Sequence, residues 1–247
     1  MDTKKESEWF EDWFNSPYYH ILYQNRDEKE AELFIDSLIS TIPIKPGSKI
    51  LDLACGRGRH AHYLNQLGYN VLGIDLSPSN ISYAQSFAND TLSFEIGDMR
   101  DPLPNTQHDY ILNLFTSFGY FAREQDDIKV LENVHRVLNN TGTFIIDYLN
   151  VDKTIHSLGN NEQLKLNNIT YNIERCIDKN FIVKEIQVND GEREFSFKEM
   201  VKILPLADFE AYFNRVGFEI EQVYGDYSLN PFEKTSSDRL LMIIRKM

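Results

Sequence analysis

The sequence predicts an α/β protein with a doubly wound, mostly parallel sheet, and three observations carry that expectation. Short apolar strands alternate with amphipathic helices between residues 43 and 150. Long, partly alternating segments without helical periodicity follow, up to residue 204. A helix, a strand, a polar loop and a last strand then close the chain, as a hairpin added to the sheet edge would. The expected organisation is therefore N-terminal lid helices over 1–42, an α/β core over 43–150, an antiparallel β insertion over 151–204, and the rest of the core over 205–247.

Trp9, Phe10, Trp13 and Phe14 repeat at i, i+1, i+4, i+5 and make one apolar helical face. Asp27 with Glu30 reads as an N-cap and its third-position partner, ahead of a stripe of Phe34, Ile35, Leu38, Ile39 and Ile42. Strands are expected at Lys49–Ala54, Val71–Asp75, Leu92–Ile96, Tyr110–Phe115 and Thr143–Leu149. Helices are expected at His60–Leu67, from Ser77-Pro78 to about Ala88, and at Ile128–Leu138. Five strands separated by helices specify parallel pairing with right-handed crossovers. After Asn150, Ile169–Ile177, Phe181–Val188 and Glu194–Ile203 read as a three-stranded antiparallel meander. Asp208–Val216 is a helix stopped by Gly217, and Phe218–Tyr224 and Leu240–Arg245 are the closing strands.

Composition excludes several classes of function. The formal charge of −13 removes the driving force that Lys and Arg supply on a phosphate backbone, so no nucleic-acid partner is expected. No apolar run approaches the roughly 20 residues that span a bilayer, so no membrane partner is expected either. The charged N-terminus does not read as a secretory signal, which leaves the cytoplasm as the expected location. Cys55 and Cys176 lie far apart and belong to no Cys/His cluster, so no metal site is expected.

Three motifs carry chemistry. Leu51-Asp52-Leu53-Ala54-Cys55-Gly56-Arg57-Gly58 puts a carboxylate in the first strand and two glycines in the turn leaving it. Gly73-Ile74-Asp75-Leu76-Ser77 places Asp75 at the carboxyl end of the second strand, and Gly97-Asp98-Met99 places a carboxylate and a flat apolar side chain after the third. Glycines there let a backbone approach a ligand at the switch point where open α/β sheets bind. Asp75 can accept hydrogen bonds from both hydroxyls of a ribose, and Asp98 from an adenine amine with Met99 on the ring face. Gly56-Arg57-Gly58-Arg59-His60-Ala61 also satisfies a dinucleotide fingerprint, with Asp75 about 20 residues on. Asp52 favours the other ligand: beside the glycine turn it would repel a pyrophosphate but suit the ammonium and sulfonium of S-adenosylmethionine (SAM).

On these segments, together with Asp109–Phe115, Leu138–Leu149 and the C-terminal hairpin, the chain resembles the class I SAM-dependent methyltransferases across roughly residues 18 to 247. The resemblance implies a Rossmann-like sheet of seven strands with the last strand antiparallel. It implies that Asp52, Ala54, Cys55, Gly56 and Gly58 surround the methionine portion of SAM. Asp75 and Leu76 would hold the ribose, Asp98 and Met99 the adenine, and Leu114 and Phe115 would lie beneath the methyl donor. The N-terminal Tyr18–Tyr23 segment and the inserted strands look like the subgroup of small-molecule N-methyltransferases for amino sugars and glycine-type amines.

The end of the fourth strand reads Asn113-Leu114-Phe115-Thr116-Ser117-Phe118-Gly119-Tyr120, without the Asn-Pro-Pro-Tyr or Pro-Cys signatures of base-methylating enzymes. A small-molecule acceptor, methylated on nitrogen or oxygen by direct displacement, is therefore expected. An NAD-dependent oxidoreductase and a non-catalytic SAM-binding protein stay as alternatives. The long inserted strands would leave an edge that could pair in a homodimer. No catalytic base is assigned. His108 is expected to be exposed, His135 packed or solvated, and Tyr148 and His156 to face the substrate side. His20, Tyr23 and Tyr120 are further pocket candidates, and Arg26 could pair with the SAM carboxylate.

Overall fold

A computed structural model describes residues 8–156, 158, 159 and 161–247. In chain order its elements are helices α1 (Trp9–Phe14), α2 (Pro17–Leu22) and α3 (Glu28–Thr41), then β1 (Lys49–Leu53), α4 (Arg59–Gln66), β2 (Asn70–Asp75), α5 (Pro78–Ala84) and β3 (Leu92–Ile96). There follow β4 (His108–Asn113), α6 (Glu124–Val137), β5 (Leu138–Leu149), α7 (Val151–His156), β6 (Glu162–Leu166), β7 (Ile169–Asp178), β8 (Phe181–Asp190) and β9 (Arg193–Lys202). The chain ends in α8 (Leu206–Val216), β10 (Phe218–Tyr224) and β11 (Arg239–Lys246). Two compact units result: Arg26–His156 with Leu204–Met247, and the N-terminal residues up to Asn25 with the segment ending at Ile203.

The larger unit holds a seven-stranded sheet in the order β10-β11-β5-β4-β1-β2-β3. β1 pairs in parallel with both β2 and β4, so the chain winds outward in both directions from β1. β11 is antiparallel to β5 and to β10, which makes the last strand the antiparallel one. Central strands are sealed on both faces, as parallel sheets under helices require: Ile111, Leu112, Ile145 and Ile146 have no exposed surface. The switch point lies between β1 and β4.

Local signals set several helix starts. Asp27 accepts from the Glu30 amide at 2.9 Å ahead of α3, whose Phe34, Ile35 and Leu38 are buried. Ser77 caps α5 through the Asn80 amide at 3.2 Å, with Pro78 in the first turn. α5 ends at Ala84 and passes into a single 3-10 turn, Gln85–Phe87. α6 starts at Glu124, before its apolar stripe, because Glu124, Asp126 and Asp127 suit the positive end of the helix dipole. Gly217 ends α8 at φ 85°. β5 begins at Leu138, which pairs with His108, so Asn140-Thr141-Gly142 lies inside the strand rather than in a turn before it.

In the smaller unit the meander has four strands in the order β6-β7-β8-β9, one more than the sequence suggests. β6 is half-buried and short, and its hairpin to β7 turns on Asn167-Asn168 at φ 51° and 64°, which asparagine tolerates in place of glycine. The six residues of α7 at the start of the expected insertion belong to the larger unit. α1 and α2 pack on one face of the meander. Trp13 has no exposed surface, lies 4.8 Å from the Phe197 ring, and donates Nε1–H to Glu199 at 2.7 Å. Tyr18 lies 4.9 Å from the Phe195 ring and donates to Asp190 at 2.9 Å. Among the described residues no helix is long and apolar enough to cross a membrane.

Candidate active site

β1 delivers Asp52 to the switch point with 2% of its surface exposed, and the chain then passes through three positive φ values, at Ala54 (63°), Gly56 (57°) and Gly58 (80°). The two glycines serve different ends. A Cβ on Gly56 would meet nothing within 4 Å, so the backbone there borders open space. A Cβ on Gly58 would come within 2.7 Å of the Phe94 ring and 3.2 Å of Ala84, so this glycine lets α4 pack on the sheet. Cys55 is buried beside them as a free thiol.

Asp52 and Asp75 form a pair of carboxylates, the first buried and the second half-buried. Burial, then the charge of Asp75, push Asp52 up to about 7, against the Ala61 amide and the Arg59 charge, which pull it down. Its Oδ2 is sealed from solvent and has no hydrogen-bond partner. Asp75 is also raised by burial, with its hydrogen bonds acting in the opposite direction. Its Oδ2 accepts from the Gly56 amide at 2.8 Å, and its Oδ1 from the Ser77 amide at 2.9 Å and from Asn80 at 3.5 Å. With about two acceptor directions per oxygen, Oδ2 keeps room for one more donor. Leu76 follows, half-buried.

After β3, Asp98 starts a turn: the Arg100 amide donates to its Oδ1 at 2.9 Å, and the Asp101 amide to its main-chain oxygen at 2.9 Å. The Arg100 guanidinium also grips both carboxylate oxygens, with a closest approach of 2.6 Å. A base amine at Asp98 would therefore compete with Arg100. Met99 is half-buried, and its carbonyl accepts from Asn133 at 3.0 Å.

At the end of β4, Leu114 is buried, and Phe115 and Thr116 both take φ 60°. The Phe115 ring is stacked 5.2 Å from His60 and lies beneath the Arg59 guanidinium at 4.4 Å, with Arg26 at 5.4 Å. Tyr227 and Phe34 complete the aromatic cluster at 5.1 and 6.4 Å from Phe115. Arg59 is ion-paired with Glu30 at 3.0 Å. His60, Asp147, Tyr227 and Arg239 are residues of this region that sequence reasoning did not single out. His60 is neutral, its pKa pulled well below the usual range by burial and then by the Arg59 charge. A signal for Asp147 was present: a lone carboxylate inside the apolar run Phe144–Leu149.

Other expectations need correction. His108 is buried, not exposed: as the first residue of β4 it has 3% of its surface accessible, neither ring nitrogen has a partner, and burial lowers its pKa to about 4. Tyr148 is wholly buried against Phe209 at 5.0 Å and against Gly119, where a Cβ would meet its hydroxyl. His135 packs edge-on to Phe218 at 5.0 Å, and His156 is exposed on α7. His20 and Tyr23 belong to the smaller unit, while the Tyr120 hydroxyl bonds the Thr116 carbonyl in the larger one.

The donor set can be tested against SAM on its own chemistry. Among the described residues neither Asp52 nor Asp75 has an ion-pair partner, so a ligand bringing positive charge would relieve two carboxylates that have lost much of their water. Open space at Gly56 and the spare acceptor direction on Asp75 suit a sugar hydroxyl beside it. The residues present fit the group.

Comparisons with known proteins agree. The methyltransferase-domain family matches residues 44–199. The chain is 27% identical over 222 residues to a glycine/sarcosine N-methyltransferase of Aphanothece halophytica, covering 84% of this chain and 78% of that protein. It is 22% identical over 222 residues to the dTDP-3-amino-3,4,6-trideoxy-alpha-D-glucopyranose N,N-dimethyltransferase of Streptomyces venezuelae, covering 84% and 91%. In fold it resembles a SAM-dependent methyltransferase from Clostridium acetobutylicum, with a TM-score of 0.78, 23% identity, and 93% and 96% of the two chains covered. The match over residues 44–199 contains the glycine turn, Asp52, Asp75 and the end of β4, and the chain belongs to the methyltransferase-domain family as a class I SAM-dependent methyltransferase.

Proposed function

We propose that this enzyme transfers the methyl group of SAM to the nitrogen of a small-molecule amine. The observation that carries the choice of acceptor is the pair of relatives that each align with 84% of this chain: both are named as N-methyltransferases of small amines. The net charge of −13 supports a small acceptor over nucleic acid.

In this reading Gly56 lets the backbone approach SAM, and Asp52 acts on its methionine end through charge rather than contact, since its free oxygen is sealed. Ala54, Cys55 and Gly58 shape the turn around that end. Asp75 takes a ribose hydroxyl with its spare acceptor direction, beside Leu76. Met99 covers one face of the adenine, and Asp98 serves its amine by sharing with Arg100. Leu114 and Phe115 lie beneath the methyl donor. When bound, SAM supplies an electrophilic methyl carbon on a sulfonium, and the protein's part is to hold the attacking atom in line and to exclude water. The wall of Phe34, Phe115 and Tyr227 suits that exclusion.

A screen of glycine, sarcosine, nucleotide-linked amino sugars and matched alcohols with methyl-labelled SAM tests the proposal. Label in an amine supports it. Transfer to alcohols alone would move the reading to O-methylation, and NAD binding tighter than S-adenosylhomocysteine (SAH) would end it. The smaller unit is further proposed to mediate a homodimer, since β6 and β9 are its edge strands. Sedimentation at micromolar concentration reads that directly.

A further inference from the structure

Phe115 and Thr116 both sit in the left-handed region, at φ 60°. That conformation is costly for any residue with a Cβ, and most of all for a β-branched one. Something outside the dipeptide must hold it there. The holder is a buried network from two other strands. Asp147 on β5 has no exposed surface, its Oδ2 accepts from the Phe115 amide at 2.8 Å, and its main-chain oxygen accepts from the Thr116 amide at 2.9 Å. Arg239 on β11 donates Nε–H to Asp147 Oδ1 at 2.7 Å and Nη2–H to Thr116 Oγ1 at 2.7 Å. Tyr227 donates its hydroxyl to Asp147 Oδ2 at 3.1 Å, and its ring lies 5.5 Å from the Arg239 guanidinium and 5.1 Å from the Phe115 ring.

A buried ion pair adds little net stability over an apolar replacement of the same shape, because both charges lose their water. Here its distinctive product is a conformation. Every side-chain donor that Arg239 is shown to use points at Asp147 or Thr116, and the Asp147 carboxylate serves the Phe115 amide, Arg239 and Tyr227. The network ends on Phe115, whose ring is stacked by His60 and lies under the Arg59 guanidinium.

We propose that Asp147 and Arg239 are positioning residues that clamp Phe115–Thr116 in its left-handed form and thereby set the seat of the donor sulfur, without touching either reactant. This rests on the proposed placement of Leu114 and Phe115 beneath the methyl donor. Because Asp147→Asn strands a buried guanidinium and risks unfolding the protein, the test uses Thr116→Val, Thr116→Ser and Arg239→Lys in the full chain. Thr116→Val keeps the shape and removes the acceptor; Thr116→Ser restores it; Arg239→Lys keeps the charge but cannot fork to two partners.

Two measurements read the result: hydrogen exchange at the Phe115 and Thr116 amides, and SAH binding by calorimetry. In Thr116→Val and Arg239→Lys, protection at those two amides should fall about tenfold while Leu51 and Leu112 stay as in the wild type. SAH affinity should fall by a similar factor, about that for one lost hydrogen bond. Thr116→Ser should recover both. Unchanged protection in folded Thr116→Val and Arg239→Lys would overturn the clamp, and lost protection with wild-type SAH affinity would overturn its role in seating the donor. A wild-type protein that binds no SAH would instead overturn the proposed function, leaving amide protection to judge the clamp alone.

Discussion

Asp52 and Asp75, on adjacent parallel strands, are both withdrawn from water, and the charge of Asp75 helps to push Asp52 up to about 7. Two carboxylates held this way cost stability unless a cation joins them. The site is therefore built against the fold's own interest, as binding sites often are.

The first prediction is that Asp52→Asn stabilises the protein at alkaline pH while weakening SAM binding. Asp52 has a folded pKa of about 7, above its unfolded value of 3.8, so the stability its protonated form contributes is complete below pH 4 and lost as pH rises through 7. Asparagine does not titrate. The variant should gain nothing near pH 4 and on the order of 4 kcal/mol by pH 8, since each tenfold difference in proton affinity between the folded and unfolded chains is worth about 1.4 kcal/mol. Urea unfolding at both pH values checks the sign. SAM, which favours ionised Asp52, should bind the wild type more tightly as pH rises through 7. A variant less stable than wild type at pH 8 would show that the buried charge is already compensated.

Asp75→Asn should weaken SAH by about 1.5–3 kcal/mol, the range for a hydrogen bond to a charged acceptor. The amide is preferred to alanine because the Gly56 and Ser77 amides donate to different oxygens of Asp75, so asparagine keeps one of these bonds where alanine keeps neither. Calorimetry on the folded variant decides it: unchanged SAH affinity would remove Asp75 from the ribose.

How far the site was legible depended on the kind of signal. Apolar runs and capping residues announced β1, β2, β4 and the starts of α3 and α5, because those depend on neighbours in sequence. Asp52, Asp75 and the glycine turn were visible for the same reason. The left-handed Phe115–Thr116 step was not, since non-glycine residues carry no local mark of it and the cause lies on β5 and β11. The burial of His108 was missed because it arises from the Leu138 pairing and the bulge after it. β6 leaves little mark because it is short, half-buried and turns on Asn167-Asn168 without a glycine.

The two glycines of the β1 turn should separate in a paired substitution. Gly58→Ala places a Cβ 2.7 Å from the Phe94 ring at φ 80°, so strain and overpacking should together cost about 2–4 kcal/mol of stability. Gly56→Ala meets no atom within 4 Å, so its stability cost should be only the left-handed backbone's, about 1–2 kcal/mol. Relative to the stability lost, SAH binding should nonetheless suffer more at Gly56, where the backbone borders open space. Thermal melts with and without SAH test this. Equal ligand-induced shifts in the two variants would count against a ligand at Gly56.

Removing residues 1–16 should loosen the smaller unit and leave the larger one intact. Trp13, wholly buried against Phe197, also ties α1 to β9 through Glu199, and Ser16 caps α2 by accepting from the Tyr18 amide at 3.2 Å. Without them one face of β8 and β9 loses cover, and large apolar side chains there meet water. Hydrogen exchange should rise across β7–β9, because local opening follows the loss of buried contacts, while β1, β4 and β5 keep their protection. SAH affinity, a property of the larger unit in our reading, should stay within about threefold, well under the 1.4 kcal/mol that tenfold represents. Point substitution of Trp13→Ala should reproduce the exchange pattern in milder form. Unchanged exchange across β7–β9 in the truncated protein would show that the N-terminal helix and its contacts to β9 do not hold the meander.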